Sequence, residues 1–210
     1  MTADGRKIRV LIADDHPMLR EGVAAVIQLQ PDMELVGEAE TGAAAVDCFR
    51  RLRPDVTLMD LQMPDLNGVE AIKAIRDEAP KARIVVLTTY AGDAQALRAL
   101  KAGAAGYLLK SSLRKDLLET IRNVHAGRRH LQPEVATEIA MHAIDEPLSE
   151  REVSVLQLIS TGRSNKQVAW EMRVSEETIK AHLKNIFEKL DVADRTHAVT
   201  VAAKRGIIEL

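Results

Sequence analysis

The feature that most constrains the fold is an alternation, over the first 126 residues, of short apolar runs with segments of helical periodicity. The runs VLIA, TLM and IVVL are continuously apolar, which is typical of strands that are covered on both faces. Strands that alternate with helices favour βαβ units and a parallel sheet. Five such units in about 125 residues predict a flavodoxin-like, doubly wound five-stranded parallel sheet with strand order 2-1-3-4-5. The predicted strands cover residues 8–14, 33–39, 55–60, 83–89 and 106–110, and the helices cover residues 18–28, 42–52, 69–78, 94–102 and 114–126.

The last 63 residues carry no strand pattern and predict an all-α domain of four helices. Each helix has a capping residue at its start: Ser149 with Glu152 forms a capping box, and Ser164, Ser175 and Asp194 begin the other three. The second and third helices are separated by only a few residues, which is the helix-turn-helix arrangement. The predicted division is a first domain at residues 1–126, a partly helical linker at 127–147 and a second domain at 148–210.

Composition limits the classes of protein that this chain can represent. The formal net charge of -2 gives no bulk positive field, so any nucleic-acid surface must be local. Cys48 is the only cysteine, which excludes an intramolecular disulfide and favours a reducing, cytoplasmic setting. No apolar stretch approaches the roughly 18 residues that a membrane span requires.

Polar residues stand at the ends of four predicted strands. Asp14 and Asp15 end the first strand, Asp60 the third, Thr88 the fourth and Lys110 the fifth. In a parallel sheet these ends lie on one edge, so the three carboxylates would repel one another unless a cation neutralised them. Oxygen ligands with open positions favour Mg²⁺, which bridges to phosphate. A carboxylate held beside Mg²⁺ and a lysine is suited to attack phosphorus and form an aspartyl phosphate.

Each of these residues alone has a simpler explanation. An aspartate at a strand end is more often a turn or cap residue, and a single lysine is usually a solvated side chain. Their joint occurrence on adjacent strand ends is what favours a site. The six histidines show no metal-ligand spacing and are interpreted as surface residues, apart from a possible phosphate contact by His182.

The segments that carry these residues together resemble a bacterial response-regulator receiver domain over residues 8 to about 126: IADDHPMLREGV, VTLMDLQMPDLNGVEA, VVLTTY and ALKAGAAGYLLK. The resemblance implies that a sensor histidine kinase phosphorylates Asp60, and that the phosphoryl group on Asp60 contacts Thr88 and Lys110. It implies Mg²⁺ bound by Asp14, Asp15, Asp60 and the backbone carbonyl of Gln62. Tyr107 matches the switch aromatic of that family, and Gln62 and Tyr90 are expected to screen the phosphate from water.

The second domain resembles the LuxR-type helix-turn-helix, most strongly in the segments GRSNKQVA, TIKAHLKNI and KLDVADRT. Together the two domains resemble the NarL/FixJ family of response regulators, which implies phosphorylation-dependent homodimers on promoter DNA, with residues 195–205 as a dimer surface. The third helix is locally basic opposite its apolar stripe and would enter the major groove. The resemblance implies base contacts from Lys180, Ala181 and Lys184, and phosphate-side positions for His182, Thr178, Ser175 and Lys166.

Three further expectations stay open at this point. An aspartate-nucleophile phosphatase would use the same chemistry, but its general acid would stand two residues after Asp60, where this chain has Gln62. A DNA-binding regulator with a degenerate receiver is the other alternative, and the complete set of acids and lysine disfavours it. Trp170, on the second helix of the last domain, is expected to pack in the core or at an interface rather than against DNA.

Overall fold

The computed structural model describes residues 6–89, 93–141 and 146–208. The chain divides into two compact units, one built mainly from residues up to 136 and the other from residue 137 onward. The first unit contains strands β1 (Ile8–Ala13), β2 (Met33–Ala39), β3 (Val56–Asp60), β4 (Ile84–Thr88), β5 (Gly106–Leu109) and β6 (His130–Leu131), and helices α1 (Pro17–Gln28), α2 (Gly42–Leu52), α3 (Gly68–Glu78), α4 (Asp93–Lys101) and α5 (Leu113–His125). Helix α6 (Pro133–Met141) follows in the predicted linker.

The sheet is parallel throughout and has the order β2-β1-β3-β4-β5-β6. The fold class and the order of the first five strands are therefore confirmed, and the structure adds a sixth short strand. Strands β1, β3 and β4 are almost wholly buried, as their unbroken apolar runs predict. Helices α1 and α5 bury their apolar sides in one cluster with these strands. This register brings the carboxyl ends of β1, β3, β4 and β5 to one edge.

Strand β6 lies beyond the predicted boundary at residue 126 and extends the sheet next to β5. Gln132, which follows it, is buried and bonds to two elements of the first unit. Its Oε1 accepts a hydrogen bond from the backbone N–H of Leu109 at 2.8 Å, and its Nε2 donates to Oδ2 of Asp116 at 2.7 Å. The compact unit continues to residue 136, so the start of the predicted linker is structurally part of it.

The second unit consists of helices α7 (Glu150–Ser160), α8 (Asn165–Met172), α9 (Glu176–Leu190) and α10 (Arg195–Lys204). All four predicted caps are confirmed: Ser149 and Ser164 form capping boxes, and Ser175 and Asp194 accept hydrogen bonds from the first turns of α9 and α10. The apolar stripe of α9 is buried in one cluster with residues of the other three helices. None of the described helices is both long and apolar enough to cross a membrane.

A short turn joins α8 to α9. Arg173 ends α8 in the left-handed conformation, with φ of 56°, and Ser175 already caps α9. This tight junction is the predicted helix-turn-helix. Trp170, one turn earlier, is 83% exposed, so it is not part of the core of this unit. The core half of the expectation for Trp170 is therefore wrong, because this side chain is exposed while its neighbours Val168 and Ala169 lie in the apolar cluster. Packing of Trp170 at an interface stays a prediction.

Candidate functional site

An acidic pocket forms at the carboxyl edge of the sheet. Asp14, directly after β1, is fully buried, and Asp60, the last residue of β3, is 2% exposed. Lys110 follows β5, and its Nζ lies 2.8 Å from Oδ2 of Asp14 and 2.8 Å from Oδ2 of Asp60. This ammonium group, on a side chain that is 13% exposed, thus bridges two buried carboxylates that the sequence separates by 46 residues. The pairing compensates part of the cost of burying the two carboxylates.

Burial and the ion pair between Asp60 and Lys110 shift the pKa values of these two residues in opposite directions. Burial raises the pKa of Asp60 and the charge of Asp14 adds to that effect, whereas the hydrogen bond and charge of Lys110 oppose it. For Lys110, burial alone would lower the pKa, but its contacts with Asp14 and Asp60 outweigh burial and raise the pKa. Lys110 is therefore held as a cation. Its single positive charge does not fully compensate the buried negative charge of Asp14 and Asp60.

The loop after β3 fixes the position of the Asp60 carboxylate. The backbone N–H of Gln62 donates to Oδ1 of Asp60 at 3.3 Å, which leaves the other carboxylate oxygen to Lys110. The chain then returns so closely that a Cβ atom at Gly68 would lie 2.0 Å from the carbonyl oxygen of Asp60. Only glycine permits this approach. Asn67 begins α3 by accepting a hydrogen bond from the N–H of Glu70.

The structure adds one residue to the pocket that the sequence analysis assigned to the surface. Nδ1 of His16 lies 2.7 Å from Oδ1 of Asp15 and 3.1 Å from Oδ1 of Asp14. The backbone N–H of His16 also donates to Oδ1 of Asp14 at 2.9 Å. The only signal in the sequence is that His16 directly follows the two aspartates, a position that reads equally well as the start of α1.

The donor atoms of the pocket fit a divalent cation. One donor atom from each of Asp14, Asp15, His16 and Asp60 can be chosen so that all four lie within 4.8 Å of one another, and no other such cluster occurs in the described part of the chain. Three carboxylates face one lysine ammonium, which leaves an excess of two negative charges when all three are ionised. Oδ2 of Asp14 is buried, and its partner among the described residues is the ammonium group of Lys110. A dication that takes mainly oxygen ligands satisfies both features.

Thr88 and Tyr107 lie beside the pocket, and both side chains are buried. Burial raises the pKa of Tyr107 to about 12, and a hydrogen bond with Thr88 opposes part of that rise. The Tyr107 ring is fully covered, and its role as the switch aromatic stays a prediction. Tyr90, expected to screen the phosphate, lies outside the described residues, and Gln62 is exposed at the rim.

The buried phenol predicts a measurable alkaline titration. In a Tyr90→Phe variant Tyr107 is the remaining tyrosine, and its phenolate absorbance should rise with a midpoint near pH 12 rather than near 10. The pKa of Tyr107 is raised in the folded state, so the neutral phenol contributes to the stability of the folded protein. That contribution is complete below about pH 10 and is lost as the pH rises through about 12. A Tyr107→Phe variant should therefore lose less stability over that window. A midpoint near 10 in the folded protein would contradict the buried position.

The second candidate surface is the outer side of α9. Lys180, Ala181 and Lys184 are exposed on it, and His182 is half-buried. At the start of the helix, the side chains of Ser175 and Thr178 hydrogen-bond to each other at 2.8 Å, and Ser175 also accepts from the N–H of Thr178. These two residues already have a structural role as the cap. Lys166, on α8, is exposed.

The two exposed lysines of α9, Lys180 and Lys184, are paired with acids on the same helix. Nζ of Lys180 lies 3.3 Å from a carboxylate oxygen of Glu177, and Nζ of Lys184 lies 3.8 Å from one of Glu188. Exposed pairs of this kind are weak. A polyanion can therefore break these ion pairs at little cost in free energy. Both lysines are then available to contact phosphate groups or base edges.

Comparison with known proteins identifies both units. The family described as "Response regulator receiver domain" matches residues 10–122, and that described as "Bacterial regulatory proteins, luxR family" matches residues 146–202. The response regulator protein VraR of Staphylococcus aureus is 37% identical over 207 residues, which cover 96% of this chain and 99% of VraR. The chain is a response regulator. It joins a receiver domain to a LuxR-type DNA-binding domain, and neither family describes an enzyme, so the phosphatase alternative is set aside.

Solved structures of other response regulators agree with this assignment. The regulator ChrA of a heme-sensing two-component system is 36% identical, with a TM-score of 0.57, and the match covers 96% of this response regulator and 99% of ChrA. A structure of two RcsB dimers bound to two parallel DNAs gives a TM-score of 0.70 at 26% identity, covering 95% and 99% of the two chains. The likeness thus extends over both domains of the response regulator.

Proposed function

We propose that this response regulator accepts a phosphoryl group on Asp60 from the phosphohistidine of a sensor histidine kinase in the cytoplasm. The phosphorylated form then dimerises and binds promoter DNA through α9. The observation that carries the proposal is the buried Asp60 carboxylate at the end of β3, 2.8 Å from the ammonium group of Lys110 and clustered with Asp14 and Asp15. A nucleophile, a fixed cation and a set of acidic ligands are the parts that phosphoryl transfer to aspartate needs.

The chemistry assigns a role to each side chain of the pocket. An Asp60 oxygen attacks phosphorus, and the bond from phosphorus to the kinase histidine nitrogen breaks as the new oxygen–phosphorus bond forms. Lys110 leaves its contact with Asp60 to pair with a phosphoryl oxygen. Asp14, Asp15, Asp60 and the backbone carbonyl of Gln62 would hold Mg²⁺, which when bound neutralises negative charge on the phosphoryl group and the acids.

Thr88 and Tyr107 are proposed to convert the phosphorylation into a change of conformation. The Thr88 hydroxyl is well placed to donate to a phosphoryl oxygen, because it ends the strand adjacent to β3. That contact competes with the hydrogen bond between Thr88 and Tyr107, so phosphorylation alters the setting of the buried ring. Phosphorylation therefore acts first on β4 and β5, the strands that carry the two residues.

The DNA-binding surface is proposed to be the exposed side of α9 with the residues around its start. Lys180, Ala181 and Lys184 would reach base edges in the major groove, and Ala181 offers only apolar contact, which suits a thymine methyl. The phosphate-side residues would be His182, Thr178, Ser175 and Lys166. Two-fold symmetric binding requires a dimer, for which the exposed side of α10 is the proposed surface.

Replacement of the acceptor tests the proposal directly. Asp60→Asn should abolish stable incorporation of phosphate from a small-molecule phosphodonor in the presence of Mg²⁺, because an amide oxygen is not an effective nucleophile. Asp77→Asn is the matched control: Asp77 is exposed on α3, so this variant should be phosphorylated like the unaltered protein. Stable phosphate on Asp60→Asn would disprove the assignment of the acceptor.

The alternative of a phosphorylation-independent regulator needs a separate measurement. Beryllofluoride with Mg²⁺ mimics the aspartyl phosphate without turnover. On the proposed function it shifts the unaltered protein, but not Asp60→Asn, from monomer to dimer in analytical ultracentrifugation and raises its promoter affinity. Equal dimerisation with and without the mimic would favour the degenerate receiver.

A further inference from the structure

His16 is the part of the acidic pocket that the proposed function does not use. Its Nδ1 atom points between the two carboxylates that end β1, 2.7 Å from Asp15 and 3.1 Å from Asp14. The imidazole itself is 67% exposed, so packing does not force this orientation. The ring is held at the pocket by its contacts with the acids and by its position as the N-cap residue of α1, directly before Pro17.

We propose that His16 is a nitrogen ligand of the pocket, which makes it a mixed nitrogen–oxygen site that selects first-row transition dications, such as Ni²⁺ or Zn²⁺, over Mg²⁺. This inference rests on the proposed function to the extent that the same pocket binds a dication. It goes beyond that function because it concerns which cation the residues prefer.

The geometry supports coordination by the ring. A ring nitrogen of His16 belongs to the group of donor atoms, with oxygens of Asp14, Asp15 and Asp60, that lie within 4.8 Å of one another, and Nδ1 is the nitrogen in contact with Asp14 and Asp15. Ligand atoms around one ion at about 2.0 to 2.2 Å are separated by no more than roughly twice that distance, so these atoms need only small adjustments. Coordination through Nδ1 uses the ring with its proton on Nε2, and the exposed side of the ring leaves that N–H to water.

Ligand chemistry gives the direction of the selectivity. Mg²⁺ binds oxygen and keeps several waters, so it gains little from an imidazole. Imidazole suits nickel and zinc, and sites of nitrogen and oxygen ligands bind first-row dications in an order that rises from manganese to copper. Lys110 does not change the preference, because its charge opposes every dication equally.

Metal affinities of the full, untagged chain test the inference. Isothermal titration with Ni²⁺ and with Mg²⁺, at one fixed pH, should show that His16→Ala weakens Ni²⁺ binding at least about tenfold, which is the lower end of the cost of disturbing a metal site. Mg²⁺ affinity should stay unchanged. His16→Asn, which keeps a polar side chain at the N-cap, should behave like the alanine variant.

Two controls separate this inference from the proposed function. Asp15→Asn should weaken the binding of both ions, and if it leaves Mg²⁺ binding unchanged, the cation pocket of the proposed function is wrong. His197→Ala, which removes an exposed imidazole from α10, should leave the nickel site of the pocket intact. The inference on His16 is overturned if the ratio of Ni²⁺ to Mg²⁺ affinity is the same in His16→Ala and in the unaltered protein. It is also overturned if Mg²⁺ binds more tightly to His16→Ala, since the ring would then obstruct the site rather than supply a ligand.

Discussion

Replacement of Lys110 by alanine is expected to lower the free energy of unfolding of the receiver by about 3 to 5 kcal/mol at neutral pH without divalent cations. The ammonium group is the partner of two carboxylates that are almost completely buried, Asp14 and Asp60. Its removal takes away the cation that the two carboxylates share, in a site where burial already disfavours the charge of Asp60. This is the largest effect on stability that a single side chain of the pocket should produce.

The dependence on pH follows from the direction of the shift at Asp60. Burial holds the pKa of Asp60 above its ordinary value, and Lys110 opposes that rise. Loss of Lys110 therefore raises the pKa of Asp60 further. A group with a raised folded pKa stabilises the folded state below its unfolded pKa and loses that contribution as the pH rises through the folded pKa. The deficit of Lys110→Ala should therefore be largest at neutral pH and should shrink as the pH falls and Asp60 is protonated.

Urea unfolding at several pH values, with hydrogen exchange resolved by segment, measures this effect. Protection should fall in β1, β3 and β5 and stay the same in the helices of the DNA-binding domain. Lys73→Ala removes an exposed lysine from α3 and is the matched control. Asp60→Asn combined with Lys110→Ala should recover part of the loss, because the two residues interact. Equal stability of the Lys73 and Lys110 variants would show that the buried ion pairs contribute nothing.

Loss of the two exposed lysines of α9 is expected to have the largest effect on DNA binding. Each lysine that reads a base contributes about 1 to 3 kcal/mol, so Lys180→Ala with Lys184→Ala should cost at least about 2 kcal/mol and weaken promoter binding by at least about thirtyfold. Their present partners, Glu177 and Glu188, form only exposed pairs and so offer little resistance to transfer onto DNA. Folding should be unaffected, because neither lysine contributes to the core cluster.

Fluorescence anisotropy with promoter DNA over a range of salt concentrations distinguishes the roles of these lysines. A lysine that neutralises a phosphate reduces the salt slope by about one, whereas a lysine that only reads a base relaxes sequence preference and changes the slope less. Arg151→Ala removes one positive charge from the exposed side of α7 and serves as the control. If the double variant keeps both the affinity and the salt slope of the unaltered protein, α9 is not the recognition helix.

Sequence patterns were sufficient to predict five of the six strands of the sheet and the three carboxylates of the pocket. Continuous apolar runs identify strands that are buried on both faces, and short connections through helices limit their order to very few possibilities. Once the strands are parallel, a residue such as Asp60 or Lys110 has to lie at the shared edge. The caps of α7 to α10 were predictable for a similar reason, since a capping box is a local pattern of four residues.

Contacts that depend on side-chain conformation could not be predicted in the same way. Strand β6 has two residues, too few for any periodicity, and Gln132 bonds to Leu109 across 23 positions. The orientation of His16 is set by two neighbouring carboxylates rather than by a repeat in the sequence. For Trp170 the sequence predicted packing in the core or at an interface, and the exposed side chain contradicts the first of these two.

Gln132 has a consequence for how receivers of this kind can be exchanged between proteins. A graft that ended at residue 126 would leave β5 as an open sheet edge, with the Leu109 N–H facing water and the Asp116 carboxylate without its amide partner. An unpaired edge of this kind invites association with other strands. The portable unit therefore extends at least through Gln132, and chimaeric regulators should be joined downstream of that residue.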